Sequence, residues 1–498
     1  MKFTTEREIM QHPDSYDVVI IGGGASGLAS AIRLKKRFKN VLLIEKNPRA
    51  GGKLDDFEWN GYRWDKGPSV FTEPNNIDQL FELWDKNPRE YFNFEPLKES
   101  CTYYFPDHQS ITISSDRDKT REQIAAVAGT QGNEEFEKYL QDGNELFEKV
   151  GNYFISNPRP TAAKAFKKEL TQRYKYFLRK EVRQSLHQLN ERSFSNEYMV
   201  KIFDRFGTYI GSNPYKMSGL YSTISHVEIN KGAFFPKGGM RAIVESLITL
   251  AKEIGVEIQC STQVQVHPQS DGTYNTSGDM EVSANRVICA IDHMTFYNNV
   301  LIDQKMENRW RKIERSTSAL VFYWAMKTGV KEFGVHNIFF SDDYKKEFSE
   351  LFDKRQLADA PTFYIHISSV AHEGDAPEGG QNWFTMVNVP AGVLPDEAYR
   401  EKMKDLLAKR LKEQFDFDMR ADILFEDRWD CAKIQEHSGS YLGALYGPAS
   451  NSLLSSIKRH GNTNSKYPNM YFCGGTVHPG GGIPLVLRSA KIVSELIK

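Results

Sequence analysis

The N-terminal part of the chain alternates apolar runs with glycine-rich and polar segments. A strand-like run at 17–21 leads into a glycine turn, a helix-like segment at 26–38 and an apolar run at 41–44. Short apolar runs bounded by turn residues are typical of buried strands. A strand, a helix and a second strand in this order predict a parallel βαβ unit, as in doubly wound α/β proteins.

Two other patterns follow along the chain. Between 316 and 390, short aromatic segments succeed one another and predict an antiparallel sheet that is separate from the first layer. An acidic, glycine-containing linker at 372–381 separates two of these segments. The predicted strands of the antiparallel sheet are 320–324, 338–340, 362–365 and 383–387. Other segments are predicted to rejoin the first layer, namely 240–253, 256–259, 263–266, 286–291, 469–473 and 485–497.

The middle of the chain is predicted to be helical, from 120 to about 150 and again from 164 to 183. The second stretch combines an apolar stripe at helical spacing with many cations. Such a helix suits the surface of an anionic membrane. It equally suits a helix that packs on its own domain and exposes a charged back. The candidate membrane-docking residues are Phe166, Lys167, Lys168, Leu170, Tyr174, Phe177, Arg179 and Lys180.

The glycine turn after the first strand has the spacing Gly22-x-Gly24-x-x-Gly27. Glycines here allow a tight turn and a close approach of backbone amides to a pyrophosphate, which the helix N-terminus stabilises further. Glu45 follows at close to the roughly 20-residue spacing expected for a carboxylate that binds a ribose hydroxyl. The motif therefore predicts a dinucleotide site; its residues are Gly22, Gly24, Ala25, Ser26, Gly27, Glu45 and Lys46.

Composition narrows the possible functions. The chain has 498 residues, enough for two or three domains, and a formal net charge of −1, which argues against general nucleic-acid binding. Its five cysteines are scattered without a CxxC pair, which indicates a reducing compartment and no zinc site. The N-terminus is polar, and no apolar run is long enough to span a membrane. We expect a cytoplasmic protein with at most peripheral membrane contact.

A second glycine-rich motif lies near the C-terminus. A predicted strand runs into Gly474 and Gly475, then His478, and a run that ends at Gly482 before the final helix. Its amides would stabilise negative charge that builds on the pyrimidine edge of a flavin. His478 could be an acid/base group, since histidine titrates near neutral pH, or a structural partner of the loop.

The motifs resemble those of flavoproteins that include carotenoid desaturases, amine oxidases and protoporphyrinogen oxidase. The spacing GG-x-x-HPGGGIP-x-x-x-x-SA, at 474–490, resembles the C-terminal signature of the bacterial phytoene-desaturase type. With FFPKGG at 234–239 and the segments VFYWAMK, HNIFFSDDY and NWFTMVNVP, the resemblance covers nearly the whole chain. The chain is identified as a member of the carotenoid desaturases and is most similar to the 1-hydroxycarotenoid 3,4-desaturases.

The resemblance implies that the dinucleotide is FAD and adds residues to its site. The backbone of Val264 would lie against the adenine. Lys53 stands where the family more often has arginine, which makes a bidentate contact to phosphate or flavin less secure. The residues implied to line the ribityl and flavin region are Gly52, Lys53, Gly67, Pro68 and Ser69, and those at the C-terminal end are Gly474, Gly475, His478, Gly482, Ile483 and Pro484.

The resemblance also implies a fold and its domains. The fold is α/β, with a Rossmann-like FAD-binding domain of the amine oxidase and GDP-dissociation-inhibitor type. An antiparallel-sheet substrate domain and a helical membrane-associating subdomain complete it. The expected FAD-binding segments are 1–95, 230–293 and 421–498, the substrate-binding segments are 96–115 and 294–420, and the helical segment is 116–229.

The implied reaction introduces a C=C bond next to a polyene by hydride transfer to flavin and proton loss from the neighbouring carbon. The expected substrate is a 1-hydroxylated carotenoid, drawn from the membrane and desaturated at the 3,4 position. Phytoene or dehydrosqualene desaturation is the alternative. A lipid-binding escort on the same fold is a non-enzyme alternative. The sequence contains no Ser-His-Asp set, metal cluster or carboxylate pair, and it identifies neither a catalytic side chain nor the electron acceptor.

Overall fold

The computed structural model describes residues 15–159, 176, 179–452, 455 and 458–498. These residues form a mixed α/β structure with two large sheets, and the predicted fold class is confirmed at this level. The first sheet contains the glycine-turn strand, and the second contains the aromatic strands of the middle of the chain. The described residues of 117–159 and 179–230 are mostly helical, and we call them the helical region.

The first large sheet has six strands, and we call it the parallel sheet. Its first five strands are parallel, and the sixth joins the edge as an antiparallel strand. Their spatial order is Glu257–Gln259, Val41–Ile44, Val18–Ile21, Val287–Cys289, Tyr467–Phe472 and Thr463–Asn464. This confirms the predicted βαβ unit and the return of the strands predicted at 256–259, 286–291 and 469–473 to the same layer. The strand predicted at 263–266 lies instead in a separate small sheet.

Side chains of the strand Val18–Ile21 point alternately to the two faces of the parallel sheet, and both faces are buried. Val18 and Ile20 pack among the helices Ala25–Lys35, Arg241–Glu253 and Ile483–Leu496. Val19 and Ile21 face the opposite way and pack against a small sheet. The strands of the small sheet are Ser15–Tyr16, Ser283–Ala284, Tyr274–Gly278 and Val264–Pro268.

The second large sheet has seven strands, and we call it the aromatic sheet. One face packs Phe322, Trp324 and Trp383 against the helix Glu397–Phe415. The other face turns toward the hairpin of Asp56–Trp59 and Tyr62–Asp65. The strand order is Ile423–Trp429, Ser318–Met326, Gln381–Val389, Phe363–Ile367, His336–Phe339, Glu99–Tyr104 and Ser110–Ser114.

The aromatic sheet differs from the prediction in two respects. It is not wholly antiparallel, because His336–Phe339 pairs in parallel with Glu99–Tyr104. The predicted boundary at 421 places Ile423–Trp429 in the FAD-binding domain. This strand pairs with Ser318–Met326, which places it in the aromatic sheet.

The helical region starts with Arg117–Leu146, which Asp116 caps through hydrogen bonds to two backbone amides. Most of the candidate membrane-docking residues, from Phe166 to Phe177, lie outside the described residues. Arg179 has an extended backbone before the short helix Lys180–Arg183, so the helical pattern does not run unbroken to Val182. Val182 is buried against Leu146 and Val150, so at this end the stripe packs on its own domain.

Shorter elements complete the described fold. The segments Phe94–Pro96 and Phe234–Pro236 pair as two antiparallel strands. The remaining α-helices are Asn75–Glu82, Asn152–Ser156, Leu186–Ser193, Glu197–Asp204, Thr223–Ser225, His293–Thr295, Gln304–Arg311, Tyr344–Phe348, Met419–Asp422 and Cys431–Ser438. The 3-10 and π-helical turns are Pro88–Glu90, Phe147–Gly151, Arg205–Ile210, Gly219–Ser222, His226–Asn230, Phe296–Val300, Ser349–Lys354, Ser368–Val370, Glu373–Asp375 and Tyr441–Gly443.

Candidate active site

The turn after Val18–Ile21 requires glycine for two different reasons. Gly22 has a φ of +110°, and a Cβ on Gly27 would overlap the carbonyl oxygen of Gly22. These two glycines therefore serve the fold itself. Gly24 differs, because the nearest atom to a Cβ there would be the Cα of Gly52, at 3.9 Å. The protein leaves the space above Gly24 open.

The helix Ala25–Lys35 begins directly at this open space. Ala25 and Ser26 are buried in its first turn, and no described side chain caps its N-terminus. The first amides of a helix have no partner within the helix, and the helix dipole places partial positive charge there. The arrangement suits the pyrophosphate of a dinucleotide.

Glu45 lies at the end of the neighbouring strand and reaches the same turn. One carboxylate oxygen accepts a hydrogen bond from the amide of Gly23 at 2.7 Å, and the other accepts from the amide of Asn47 at 2.9 Å. Each oxygen keeps a lone pair that could accept a ribose hydroxyl. Lys46 is exposed and donates to the carbonyl oxygen of Glu436, so this predicted site residue makes a contact at the surface.

The second glycine pair packs against the first turn. The amide of Gly51 donates to the carbonyl oxygen of Gly23 at 2.8 Å, and a Cβ on Gly52 would lie 3.1 Å from the Cα of Gly24. Lys53 follows, with its Nζ 2.7 Å from the carbonyl oxygen of Leu445. Burial lowers the pKa of Lys53 to about 8, against the opposing effect of a nearby carboxylate. The pair thus brings a buried lysine to the turn.

The third glycine turn connects this region to the aromatic sheet. A Cβ on Gly67 would overlap the carbonyl oxygen of Lys53, so the two segments touch. Pro68 and Ser69 are half-buried, and the Ser69 hydroxyl lies 2.6 Å from the hydroxyl of Tyr364 in the aromatic sheet. The residues implied to line the flavin therefore lie between the two large sheets.

The C-terminal glycine run meets the start of the first helix. A Cβ on Gly474 would lie 3.2 Å from the hydroxyl of Ser26, and one on Gly475 would lie 3.4 Å from the Cα of Gly481. Gly482 has a φ of +109°, and a Cβ there would have no neighbour within 4 Å. The helix Ile483–Leu496 begins next, with Pro484 in its first turn and no described side chain as a cap. A second uncapped helix N-terminus thus adjoins open space.

His478 is hydrogen-bonded to the helical region. Its Nε2 lies 2.8 Å from the carbonyl oxygen of Asn157, and since a carbonyl only accepts, Nε2 carries the proton. Burial lowers the pKa of His478 to about 4, so the ring is neutral at neutral pH. With Nε2 occupied as a donor, the geometry favours the structural role over the acid/base role.

His478→Ala is expected to lower the free energy of unfolding by about 1 kcal/mol, because it leaves the half-buried carbonyl of Asn157 without its donor. His478→Gln is the matched control, since its amide nitrogen can reach the position of Nε2 and keep the bond. Urea denaturation of both variants measures the difference. An alanine variant as stable as the wild type would show that this bond contributes nothing.

The difference in stability between wild type and His478→Gln is expected to depend on pH. The pKa of His478 is about 4 in the folded protein and about 6.5 in the unfolded chain. Between these values the unfolded chain binds a proton that the folded protein does not. The wild type should therefore lose stability relative to the variant as pH falls from 6.5 toward 4, with a slope of up to about 1.4 kcal/mol per pH unit. A constant difference from pH 7 to pH 5 would contradict the buried neutral ring.

Val264 lies at the start of a strand of the small sheet and is 4% exposed. Just before it, the amide of Thr262 donates to the carbonyl oxygen of Glu45 at 3.0 Å. The segment that leads to Val264 is therefore fixed beside the end of the Glu45 strand. This position agrees with an adenine contact of the Val264 backbone, which remains a prediction.

A buried charge network was missed at the sequence level. Arg63 donates to both carboxylate oxygens of Asp375, at 2.7 and 2.9 Å, and to Asp65 at 3.0 Å. Asp65 also accepts from the amide of Met240 at 3.0 Å. Asp375 belongs to the segment interpreted as a linker, but it is completely buried and fixes that segment to the hairpin. No spacing signal could reveal a pair 312 positions apart.

The geometry of the site suits a dinucleotide such as FAD better than it suits a metal ion. The open space at Gly24, the two uncapped helix N-termini and the carboxylate of Glu45 match the phosphates and ribose of a dinucleotide. In the described part of the chain, no group of three or more His, Cys, Asp or Glu could hold a metal ion. None of the helices described combines the length and apolar character needed to cross a bilayer.

The chain is similar to several known proteins. A 1-hydroxycarotenoid 3,4-desaturase of Flavobacterium sp. (strain P99-3) is 37% identical over 483 residues, which are 96% of this chain and 98% of that protein. A phytoene desaturase of Fusarium fujikuroi is 28% identical and covers 96% of this chain and 89% of its own. The structure of a redesigned putrescine oxidase, a triple mutant, matches with a TM-score of 0.64 at 15% identity and covers 97% of this chain and 98% of its own.

The family-level comparison agrees with the site geometry. The sequence profile of the flavin containing amine oxidoreductases matches residues 25–498, which include the start of the first helix, both later glycine turns and the C-terminal glycine run. FAD is therefore the cofactor of this protein, and its contacts with the glycine turns and Glu45 remain predictions. The chain belongs to the flavin-containing amine oxidoreductase family.

Proposed function

We propose that this protein is an FAD-dependent carotenoid desaturase that introduces the 3,4 double bond into a 1-hydroxylated, acyclic carotenoid. The observation that carries the proposal is the identity of 37% with a 1-hydroxycarotenoid 3,4-desaturase along almost the full length of both chains. The two later glycine turns and the C-terminal glycine run, which are predicted to contact FAD, fall within the family match at 25–498. The protein is thus proposed to act in carotenoid biosynthesis.

The side chains of the site are suited to binding and orientation. When bound, FAD supplies the acceptor for the hydride that leaves the allylic CH2–CH2 unit of the substrate. The remaining proton leaves from the neighbouring carbon of a cation delocalised over the polyene, so a strongly tuned base is not required. This agrees with a neutral His478, whose Nε2 is already used as a donor. Catalysis would then rest on positioning, as in many cofactor enzymes.

Gly67, Pro68 and Ser69 form a turn that is predicted to contact the flavin, and we call it the predicted flavin loop. The aromatic sheet supplies an apolar wall next to this loop. Tyr364 contacts Ser69 through its hydroxyl, and Phe384 and Met386 lie on the neighbouring strand of the same face. Tyr323 anchors the sheet, because its hydroxyl donates to the carbonyl oxygen of Lys66 at 3.0 Å. A polyene lying along this wall would pass the flavin loop.

Pigment analysis in paired host cells tests the substrate. One host accumulates phytoene and the other a 1-hydroxylated carotene, each with and without this protein. We expect a product two hydrogens lighter and red-shifted only in the hydroxylated host. Conversion of phytoene instead would favour the alternative, an upstream desaturase such as the similar phytoene desaturase. A folded protein that binds no FAD and changes no pigment would favour the escort alternative.

The protein is also proposed to be cytoplasmic and to dock on the membrane through its basic segment. Neutralising Lys167, Lys168, Arg179 and Lys180 together should weaken sedimentation with anionic liposomes, because lysine and arginine side chains near an anionic membrane contribute about 1 kcal/mol each. The FAD content should stay unchanged. A matched control neutralises Lys346, Lys402, Lys409 and Lys412, four exposed lysines elsewhere. Equal sedimentation of both variants and the wild type would rule out this docking surface.

A further inference from the structure

A chain of hydrogen bonds leads from the predicted flavin loop into the aromatic sheet. The hydroxyls of Ser69 and Tyr364 lie 2.6 Å apart, and the Tyr364 hydroxyl lies 2.7 Å from Nδ1 of His336. His336 is directly opposite His366 on the adjacent strand, and their rings stack with centroids 5.0 Å apart. We call Ser69, Tyr364 and His336 the hydroxyl relay.

The relay is polar and lies beside apolar side chains on this face of the sheet, with the charged Arg205 and Glu228 near enough to act on Tyr364 electrostatically. Ile338 and Met386 lie opposite Tyr364, and Phe384 lies opposite His366. Burying imidazoles and hydroxyls among such residues is costly unless their hydrogen bonds are satisfied. Among the residues that the structure describes, Nε2 of His336 and Nε2 of His366 have no hydrogen-bond partner. The group therefore has more hydrogen-bonding capacity than its described neighbours use.

Two members of the relay keep part of their surface accessible. Tyr364 lies deep in the protein, where burial raises its pKa, yet its side chain is only half-buried, and so is that of Ser69. Tyr323 is a contrasting tyrosine on the same face. It is 0% exposed, and its hydroxyl is used by the carbonyl oxygen of Lys66. Tyr364 and Ser69 can thus meet a ligand that Tyr323 cannot.

The relay has the chemistry to bind an alcohol. Burial lowers the pKa of both His336 and His366, so both rings are neutral, and a neutral imidazole has one donor and one acceptor nitrogen. Serine and tyrosine hydroxyls also both donate and accept. The relay therefore offers no net charge to an anion, but it complements a hydroxyl group, which donates and accepts in the same way.

The position of the relay matches the substrate of the proposed function, on which this inference rests. In a 1-hydroxylated carotenoid the carbon that bears the hydroxyl is two bonds from the nearer carbon of the 3,4 pair. A residue that binds this hydroxyl must therefore border the flavin region, as Ser69 is predicted to do. We propose that Ser69, Tyr364 and His336 bind the tertiary hydroxyl of the substrate and thereby select hydroxylated over non-hydroxylated carotenes.

The test compares kcat/KM for a 1-hydroxylated carotene and for its analogue without the hydroxyl, using FAD-loaded protein. Tyr364→Phe should lower the preference for the hydroxylated substrate by about 10- to 100-fold, through a loss on that substrate alone. Ser69→Ala, with its FAD content checked, should act in the same direction. Tyr323→Phe is the matched control and should leave the preference unchanged. The absorption shift of the hydroxylated carotene on anaerobic binding gives a second readout, which Tyr364→Phe should weaken.

The outcomes separate this inference from the proposed function. Desaturation of the hydroxylated carotene with an unchanged preference in Tyr364→Phe and Ser69→Ala would overturn the hydroxyl relay and leave the proposed function intact. An equal loss of preference in Tyr323→Phe would also overturn it, since the effect would then be structural. Failure of the wild type to convert either carotene would overturn both proposals.

Discussion

Gly24→Val is expected to produce a folded protein that no longer retains FAD. A Cβ atom at position 24 would have its nearest protein atom at 3.9 Å, and the backbone there is extended, so we expect the fold to tolerate a small side chain. The same side chain would occupy the space at the N-terminus of the first helix where the pyrophosphate is expected. We expect FAD affinity to fall at least about 100-fold, which corresponds to about 2.7 kcal/mol.

The measurement is the flavin content of the purified protein, together with its thermal unfolding after the FAD has been removed. Gly461→Val is the matched control, because a Cβ there also has its nearest neighbour at 3.8 Å but lies away from the glycine turn in sequence. The control should keep its FAD. Wild-type flavin content in Gly24→Val would show that the space above Gly24 is not the pyrophosphate site.

Gly27→Ala is expected to lower the free energy of unfolding, whereas Gly24→Val is expected to lower FAD affinity. The Cβ would overlap the carbonyl oxygen of Gly22, which is backbone and cannot rotate away. The helix would have to move off the strand end, where Leu28 and Ile32 are fully buried among the packed helices. Overpacking of this kind typically costs 1–3 kcal/mol, and a backbone overlap should reach at least about 3 kcal/mol.

Thermal unfolding of the FAD-free protein distinguishes the two glycine variants. Gly27→Ala should melt at a clearly lower temperature than the wild type, whereas Gly24→Val should melt at nearly the same temperature. Since a loss of 3 kcal/mol is a large fraction of typical stability, Gly27→Ala should also accumulate less soluble protein. A Gly27→Ala protein with a wild-type melting temperature would contradict the packing described here.

Short-range patterns allowed much of the fold to be predicted. The strands Val18–Ile21 and Val41–Ile44 and the helix between them are set by neighbouring residues, and the structure confirms them. The glycine spacing also located the open turn, because the need for glycine is local to the backbone. The final helix was predicted for the same reason, with Pro484 in its first turn.

Contacts between distant segments could not be predicted in this way. Ser69 and Tyr364 are 295 positions apart, so the hydroxyl relay has no sequence signature. The strand Ile423–Trp429 carries charged residues that do not reveal its pairing with Ser318–Met326 in the aromatic sheet. Asp375 looked like part of a polar linker because the arginine that compensates its charge, Arg63, lies on a different sheet hairpin.

The most direct test of the proposed function is a single turnover without oxygen. FAD-loaded protein would be mixed with a 1-hydroxylated carotene under anaerobic conditions, and the yellow flavin absorption and the carotenoid spectrum would be followed together. Our account predicts that one flavin loses its yellow colour for each new double bond formed. A red-shifted product that forms while the flavin spectrum stays unchanged would contradict it, as would protein with bound FAD that leaves the carotene unaltered.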